Sequence, residues 1–292
     1  ALWVVLYHIR DVIAEVYPDA LLLNRFAVVG YLGVDLFALL SGFIIAYTYS
    51  ARLQTPSWPG YRRSIWLRFV RTYPLHLFAL SLFVLLFLVM NEGLGLSHVA
   101  ADSAFWRQLF LLNGLGFETR FEWNIPSWSL SSEWACYLLF PALAPVLARV
   151  RSPLAAFAMA VVTLGATAWI LTSVGRPSFD AHLQWGVARI AGEFFTGCWL
   201  YLVYKSGLTR AWPMGWIGLS AVMLSLLLLV FMPRIPWVIV AFAVLIFALA
   251  HDQPPLRQLV GNRVAVYLGE ISYSVYMLHW LFVALADLLD VP

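Results

Sequence analysis

Charge is the scarcest property of this 292-residue chain: Asp, Glu, Lys and Arg together make up 11%, where a soluble domain carries roughly a quarter. That shortage excludes an ordinary water-soluble globule. Lysine occurs only as Lys205, and cysteine only as Cys136 and Cys198, both inside apolar stretches. Two such cysteines offer neither a disulfide framework nor a thiolate metal site. They read as small core residues. The net charge of +3 is spread over several loops and provides no basic patch for nucleic acid. What the chain has in abundance is apolar surface, with 62% hydrophobic residues, 16% aromatics and a mean hydropathy of +0.82. The solvent that suits it is lipid.

Nine apolar segments, each near the ~20 residues needed to cross a bilayer core, run over 1–17, 28–50, 73–91, 126–148, 153–174, 184–204, 213–232, 235–250 and 264–289. The expected fold class is all-α: a polytopic transmembrane bundle of nine to ten helices, one integral-membrane domain over 1–292 with no soluble domain appended. A tenth helix would come from the weaker patch 105–117, which reads equally as a re-entrant or interfacial element. The first segment is short and begins at Ala1 without Met, so upstream residues are expected to complete it in the natural protein. A cleaved signal peptide is the competing reading, but a charged n-region and a small-residue cleavage site are both missing.

Arginine sets the expected orientation. The stretch 51–72 holds Arg52, Arg62, Arg63, Arg68 and Arg71, and every second loop after it is also basic: Arg149 and Arg151, Lys205 and Arg210, Arg257 and Arg263. The positive-inside rule puts that side in the cytoplasm. The opposite loops hold Arg25, Arg107, Arg120, Arg176 and Arg234, offset by Asp19, Glu92, Asp102, Glu118, Glu122 and Asp180.

Against this apolar background the ionisable residues stand out, because a charge in hydrocarbon is costly and marks a candidate site. His8, Asp11 and Glu15 share one face of a helix through spacings of three, four and seven. Asp35 lies among Gly30, Gly33 and Gly42, glycines that read as helix-packing positions, and it calls for His8 or an arginine as partner. Arg68 and Arg71 would share a face if the third segment is already helical there, and their planar forks suit phosphate. Arg52, Arg62 and Arg63 serve topogenesis and anionic membrane lipids equally well.

In the fourth segment Ser129, Glu133 and Tyr137 recur every four residues as a polar stripe, while Ser127 and Ser131 are expected to cap or back-bond the helix. Arg189 and Glu193, four apart, most economically neutralise each other. Tyr276 and His279 share a face of the last segment and suit an interfacial anchor as well as a site. His76, His98, His182 and His251 receive no chemistry, and no histidine pair has the spacing of a zinc helix.

Five blocks together give the chain its likeness. They are Val4-Val5-Leu6-Tyr7-His8, Gly33-Val34-Asp35-Leu36-Phe37 continuing through Leu40-Ser41-Gly42-Phe43, Arg68-Phe69-Val70-Arg71-Thr72-Tyr73-Pro74, Trp128-Ser129-Leu130-Ser131-Ser132-Glu133-Trp134, and Ile271-Ser272-Tyr273-Ser274-Val275-Tyr276-Met277-Leu278-His279. In this order they resemble the acyltransferase 3 family, integral-membrane O-acyltransferases that decorate bacterial polysaccharides, lipopolysaccharide and related acceptors. The family's basic residue, eleven positions before its first-helix histidine, would precede Ala1.

The resemblance implies transfer of an acyl group, usually acetyl, from cytoplasmic acyl-CoA to a hydroxyl of a glycan or glycolipid acceptor at the bacterial inner (cytoplasmic) membrane. It maps the family's functional positions onto His8, Asp35, Ser41, Arg68, Arg71 and Glu133. A sugar hydroxyl is a poor nucleophile near neutral pH, and histidine suits the general base it needs. Alternatively His8 takes the acyl group itself and passes it on. Asp11, Asp35 or Glu133 would orient the imidazole, Arg68 and Arg71 would hold CoA phosphates, and Ser129 and Tyr137 would support the substrate. No metal is required. A secondary transporter is the main rival, although no inverted repeat is evident. A lipid-linked glycosyltransferase is a third reading, poorly matched because stretch 18–27 offers only Asp19.

Overall fold

The computed structural model describes residues 1–49, 57–90, 95–120, 122–177, 179–231 and 237–288, the side chain of Asp287 excepted. Arg52, Glu92 and Arg234 lie outside the described residues. The chain opens with α1 (Leu2–His8), α2 (Arg10–Val16), α3 (Leu21–Val28) and a 3-10 turn (Gly30–Leu32) that leads into α4 (Gly33–Tyr49). A long α5 (Trp58–Met90) and two short helices, α6 (Leu96–Ala101) and α7 (Ser103–Leu109), follow. Next come α8 (Ser127–Arg149), α9 (Pro153–Ser173) and α10 (Gly186–Lys205). The chain continues through α11 (Met214–Phe231), α12 (Trp237–Leu249), the short α13 (Leu256–Val260) and α14 (Arg263–Leu288). Among the described residues there is no strand, and six helical stretches are long and apolar enough to cross a membrane. The protein is an all-α polytopic bundle.

Each of the nine apolar segments contains helix among its described residues, but two differ from expectation. The first is broken: Ile9 leaves helical geometry at φ −104°, ψ 15°, so 1–17 forms two short helices and no continuous stripe. The third begins far upstream. Residues 58–72 belong to α5 and not to a loop, because arginine and leucine favour helix whatever their hydropathy. At ~1.5 Å per residue α5 spans about 50 Å, well beyond a ~30 Å hydrocarbon core. Its arginine-bearing turns therefore extend past the apolar layer.

The bundle is centred on α4 and α10, the most extensively paired helices. Glycine permits their approach. A Cβ on Gly42 would lie 1.8 Å from the Phe194 carbonyl oxygen, and one on Gly197 would lie 2.1 Å from that of Leu39. The close seam brings the Cys198 thiol within 3.3 Å of the Gly42 carbonyl, to which it donates. Both cysteines are buried and unpaired. Leu39, Phe140, Ile190 and Phe194 fill the core beside this seam. On the outer flank α14 packs on α1 and α5, and this placement decides what His8 meets.

Candidate functional site

His8 ends α1, immediately before the break at Ile9. Its Nδ1 lies 2.9 Å from Nε2 of His279, on α14. His279 is buried, and its own Nδ1 lies 2.7 Å from the Tyr276 carbonyl oxygen. Trp280 closes the other side of His8 edge-on, with ring centroids 5.0 Å apart. The expected carboxylate neighbours are elsewhere. Asp11 sits beyond the break with its side chain 88% exposed, 3.6 Å from Arg10, and Glu15 is exposed as well. Neither Asp35 nor Glu133 hydrogen-bonds His8. The side-chain partner of His8 is His279, which the sequence offered equally as an interfacial anchor or as part of a site.

Asp35 finds its partner across the α4–α10 seam. Arg189 Nε and Nη2 donate to its two oxygens at 2.7 and 2.5 Å, a bidentate fork with both side chains fully buried. Further donors of the same guanidinium reach the carbonyls of Ala181 at 3.0 Å and Tyr31 at 3.2 Å. The expected Arg189–Glu193 ion pair is present at the longer distance of 4.0 Å, while the hydrogen-bonded fork of Arg189 goes to Asp35. Neither oxygen of Glu193 has a hydrogen-bond partner. Spacing of four made Glu193 the local choice, but the fork of Arg189 is aimed across the seam.

Between α4, α5, α8 and α14 lies a cavity of about 490 Å³, within the range of small-molecule sites. It brings together Ser41, Arg68, Arg71, Ser129, Glu133 and Tyr137. Arg68 is 8% exposed, and its guanidinium faces the rings of Tyr49 and Tyr137 at 4.9 and 5.6 Å. Its Nε has no hydrogen-bond partner. Arg71, one turn along α5, is exposed at the rim. Tyr137 donates to Glu133 Oε1 at 2.6 Å, so Ser41, 3.0 Å from the Tyr137 oxygen, must supply the hydrogen of that second bond. At the far wall Ser129 Oγ and Tyr276 Oη lie 2.6 Å apart.

The start of α8 is held by a buried polar layer. Ser127 donates to Gln108 Oε1 and receives Asn113 Nδ2, at 2.7 and 2.9 Å, while Ser131 donates to the Leu111 carbonyl and receives Gly114 N–H. These serines dock the preceding loop more than they cap their own helix. They fix the register of Ser129 and Glu133 toward the cavity. Arg107 forms a bidentate bond to Glu118 on the outer side of this layer. Among the described residues no three His, Cys, Asp or Glu side chains converge as a metal site requires.

The geometry thus divides the expected site. One group lines the cavity, one forms the buried Asp35–Arg189 fork, and His8 joins His279 one turn of α14 beyond Tyr276. Arg189 and His279 are the partners that sequence spacing missed, since they lie 154 and 271 residues from theirs. The available signal was the shared face of Tyr276 and His279.

The chain is similar to acyltransferase MdmB of Streptomyces mycarofaciens, with 29% identity over 273 residues, covering 87% of this chain and 68% of that protein. No solved structure matches. A family model described as an acyltransferase domain matches residues 1–289, and the chain accordingly belongs to the acyltransferase 3 family of membrane acyltransferases.

Proposed function

We propose that the protein transfers an acyl group, acetyl in the simplest case, from acyl-CoA to a hydroxyl of a sugar-containing acceptor: a cell-surface polysaccharide, lipopolysaccharide or glycolipid. The observation that carries this reading is Arg68, a buried arginine in the cavity wall with an unpartnered Nε. A buried donor left unsatisfied costs about 1–3 kcal/mol, and a phosphate oxygen is the acceptor that a guanidinium fork fits best. Arg71 at the rim supplies a second fork beside it. Together they suit the phosphates of CoA, with the pantetheine arm directed inward past Glu133.

His8 is the general base in this reading. It takes the proton from the acceptor hydroxyl as the oxygen attacks the thioester carbonyl. The C–S bond breaks, and the same proton passes from His8 to the departing thiolate. Tyr276 connects the two regions, because its hydroxyl borders the cavity while its carbonyl holds His279. Glu133 and Tyr137 line the approach, and the Asp35–Arg189 fork holds the α4–α10 seam that shapes the wall. The arginine-bearing end of α5 faces the cytoplasm of a bacterial inner membrane, where the donor arrives. The acceptor approaches from the opposite side.

Proteoliposomes supplied with labelled acetyl-CoA and a glycolipid acceptor test this reading. Label on an acceptor hydroxyl with matching release of free CoA is expected. Solute flux across the vesicle without CoA, and no labelled ester, would instead support a transporter.

A further inference from the structure

We infer that His279 is a positioning residue that fixes the tautomer of His8, so that the nitrogen facing away from the pair, Nε2, carries the lone pair. The inference rests on the reading of His8 as base and identifies what prepares it. Hydrogen-bond direction along the chain of groups determines it. The Tyr276 carbonyl oxygen is an acceptor only, so His279 Nδ1, 2.7 Å away, must carry a hydrogen. A neutral imidazole with hydrogen on Nδ1 has its lone pair on Nε2. That lone pair faces His8 Nδ1 at 2.9 Å, so the hydrogen between the rings belongs to His8 Nδ1. His8 Nε2 is then unprotonated.

A second imidazole does here what a carboxylate does in other acid–base sites: it orients the ring and receives the hydrogen bond of the cation that forms on proton uptake. The absence of a carboxylate from the first sphere of His8 is what gives His279 this task. It is not replaceable by shape alone. A side chain of the same size without an acceptor removes the ring nitrogen that receives the His8 Nδ1 hydrogen. The edge contacts of Trp280 and Tyr7 with His8 hold the plane of the ring but exchange no proton with it.

The test compares His279→Phe with His279→Gln, whose amide oxygen stands near the position of Nε2. In the full protein, His279→Phe is expected to lower kcat at least tenfold with KM for acetyl-CoA unchanged, and His279→Gln to recover most of it. In the unaltered protein, histidine 15N spectra are expected to show His8 protonated at Nδ1 and bare at Nε2. Wild-type kcat in His279→Phe, or a His8 hydrogen found on Nε2, would overturn the inference. The spectrum decides even if the Phe variant does not fold. An inactive His8→Ala beside a fully active His279→Phe refutes this inference alone, whereas transfer by His8→Ala refutes the base itself.

Discussion

Arg189 grips both oxygens of Asp35 across 154 residues of chain, at 2.7 and 2.5 Å, with neither side chain exposed to solvent. Such a pair costs a great deal to desolvate, and its removal in halves costs more than its removal whole. Asp35→Ala leaves a buried guanidinium bonded to two carbonyls, with the Glu193 carboxylate 4.0 Å away.

Stability should therefore respond asymmetrically. Asp35→Ala or Arg189→Met alone is expected to lose roughly 3–5 kcal/mol, seen as a large drop in thermal midpoint in detergent. The double variant is expected to lose less than the sum. Strict additivity would place the two residues in separate roles.

Gly42 gives a packing prediction. Its missing Cβ leaves 1.8 Å to the Phe194 carbonyl, a contact that backbone displacement alone can relieve. Gly42→Ala is expected to destabilise by about 1–3 kcal/mol through overpacking. Gly95 has nothing near the same added atom, and Gly95→Ala serves as the neutral control in the same melting experiment.

For donor binding the residue to change is Arg68. A charged hydrogen bond contributes about 1.5–3 kcal/mol, so Arg68→Gln is expected to raise KM for acyl-CoA roughly ten- to a hundredfold. Arg62→Gln, exposed and outside the cavity lining, is expected to leave it unchanged. Equal effects at both positions would reduce the role of Arg68 to general surface charge.

Tyr137→Phe removes the hydroxyl that joins Ser41 to Glu133. Leaving both ends of that chain without their common partner costs on the order of 1–3 kcal/mol. The expected result is a loss of transfer of about tenfold or more with expression retained. Steady-state kinetics on the purified variant would show it. Full activity would place the Ser41–Tyr137–Glu133 chain outside the reaction.

These outcomes also mark where sequence and structure part company. Hydropathy located the membrane helices because lipid rewards long apolar runs, and the polar stripe of Ser129, Glu133 and Tyr137 does face the cavity. It stopped short on α5, since Arg62 to Arg71 lower hydropathy without ending a helix. It also passed over Ile9, an apolar residue whose backbone, and not its side chain, breaks the first helix. Pairing was legible only in part: an arginine was expected beside Asp35, but not which one. Spacing along one helix exposes neighbours such as Arg189 and Glu193, whereas Asp35 with Arg189 and His8 with His279 meet only when α4 lies on α10 and α14 on α1.

The most direct test of the account is His8→Ala, assayed for labelled acetyl transfer in proteoliposomes alongside CoA binding by the same preparation. The expected result is a folded, membrane-inserted protein that binds CoA as before and transfers no acyl group. Undiminished transfer by His8→Ala would contradict it.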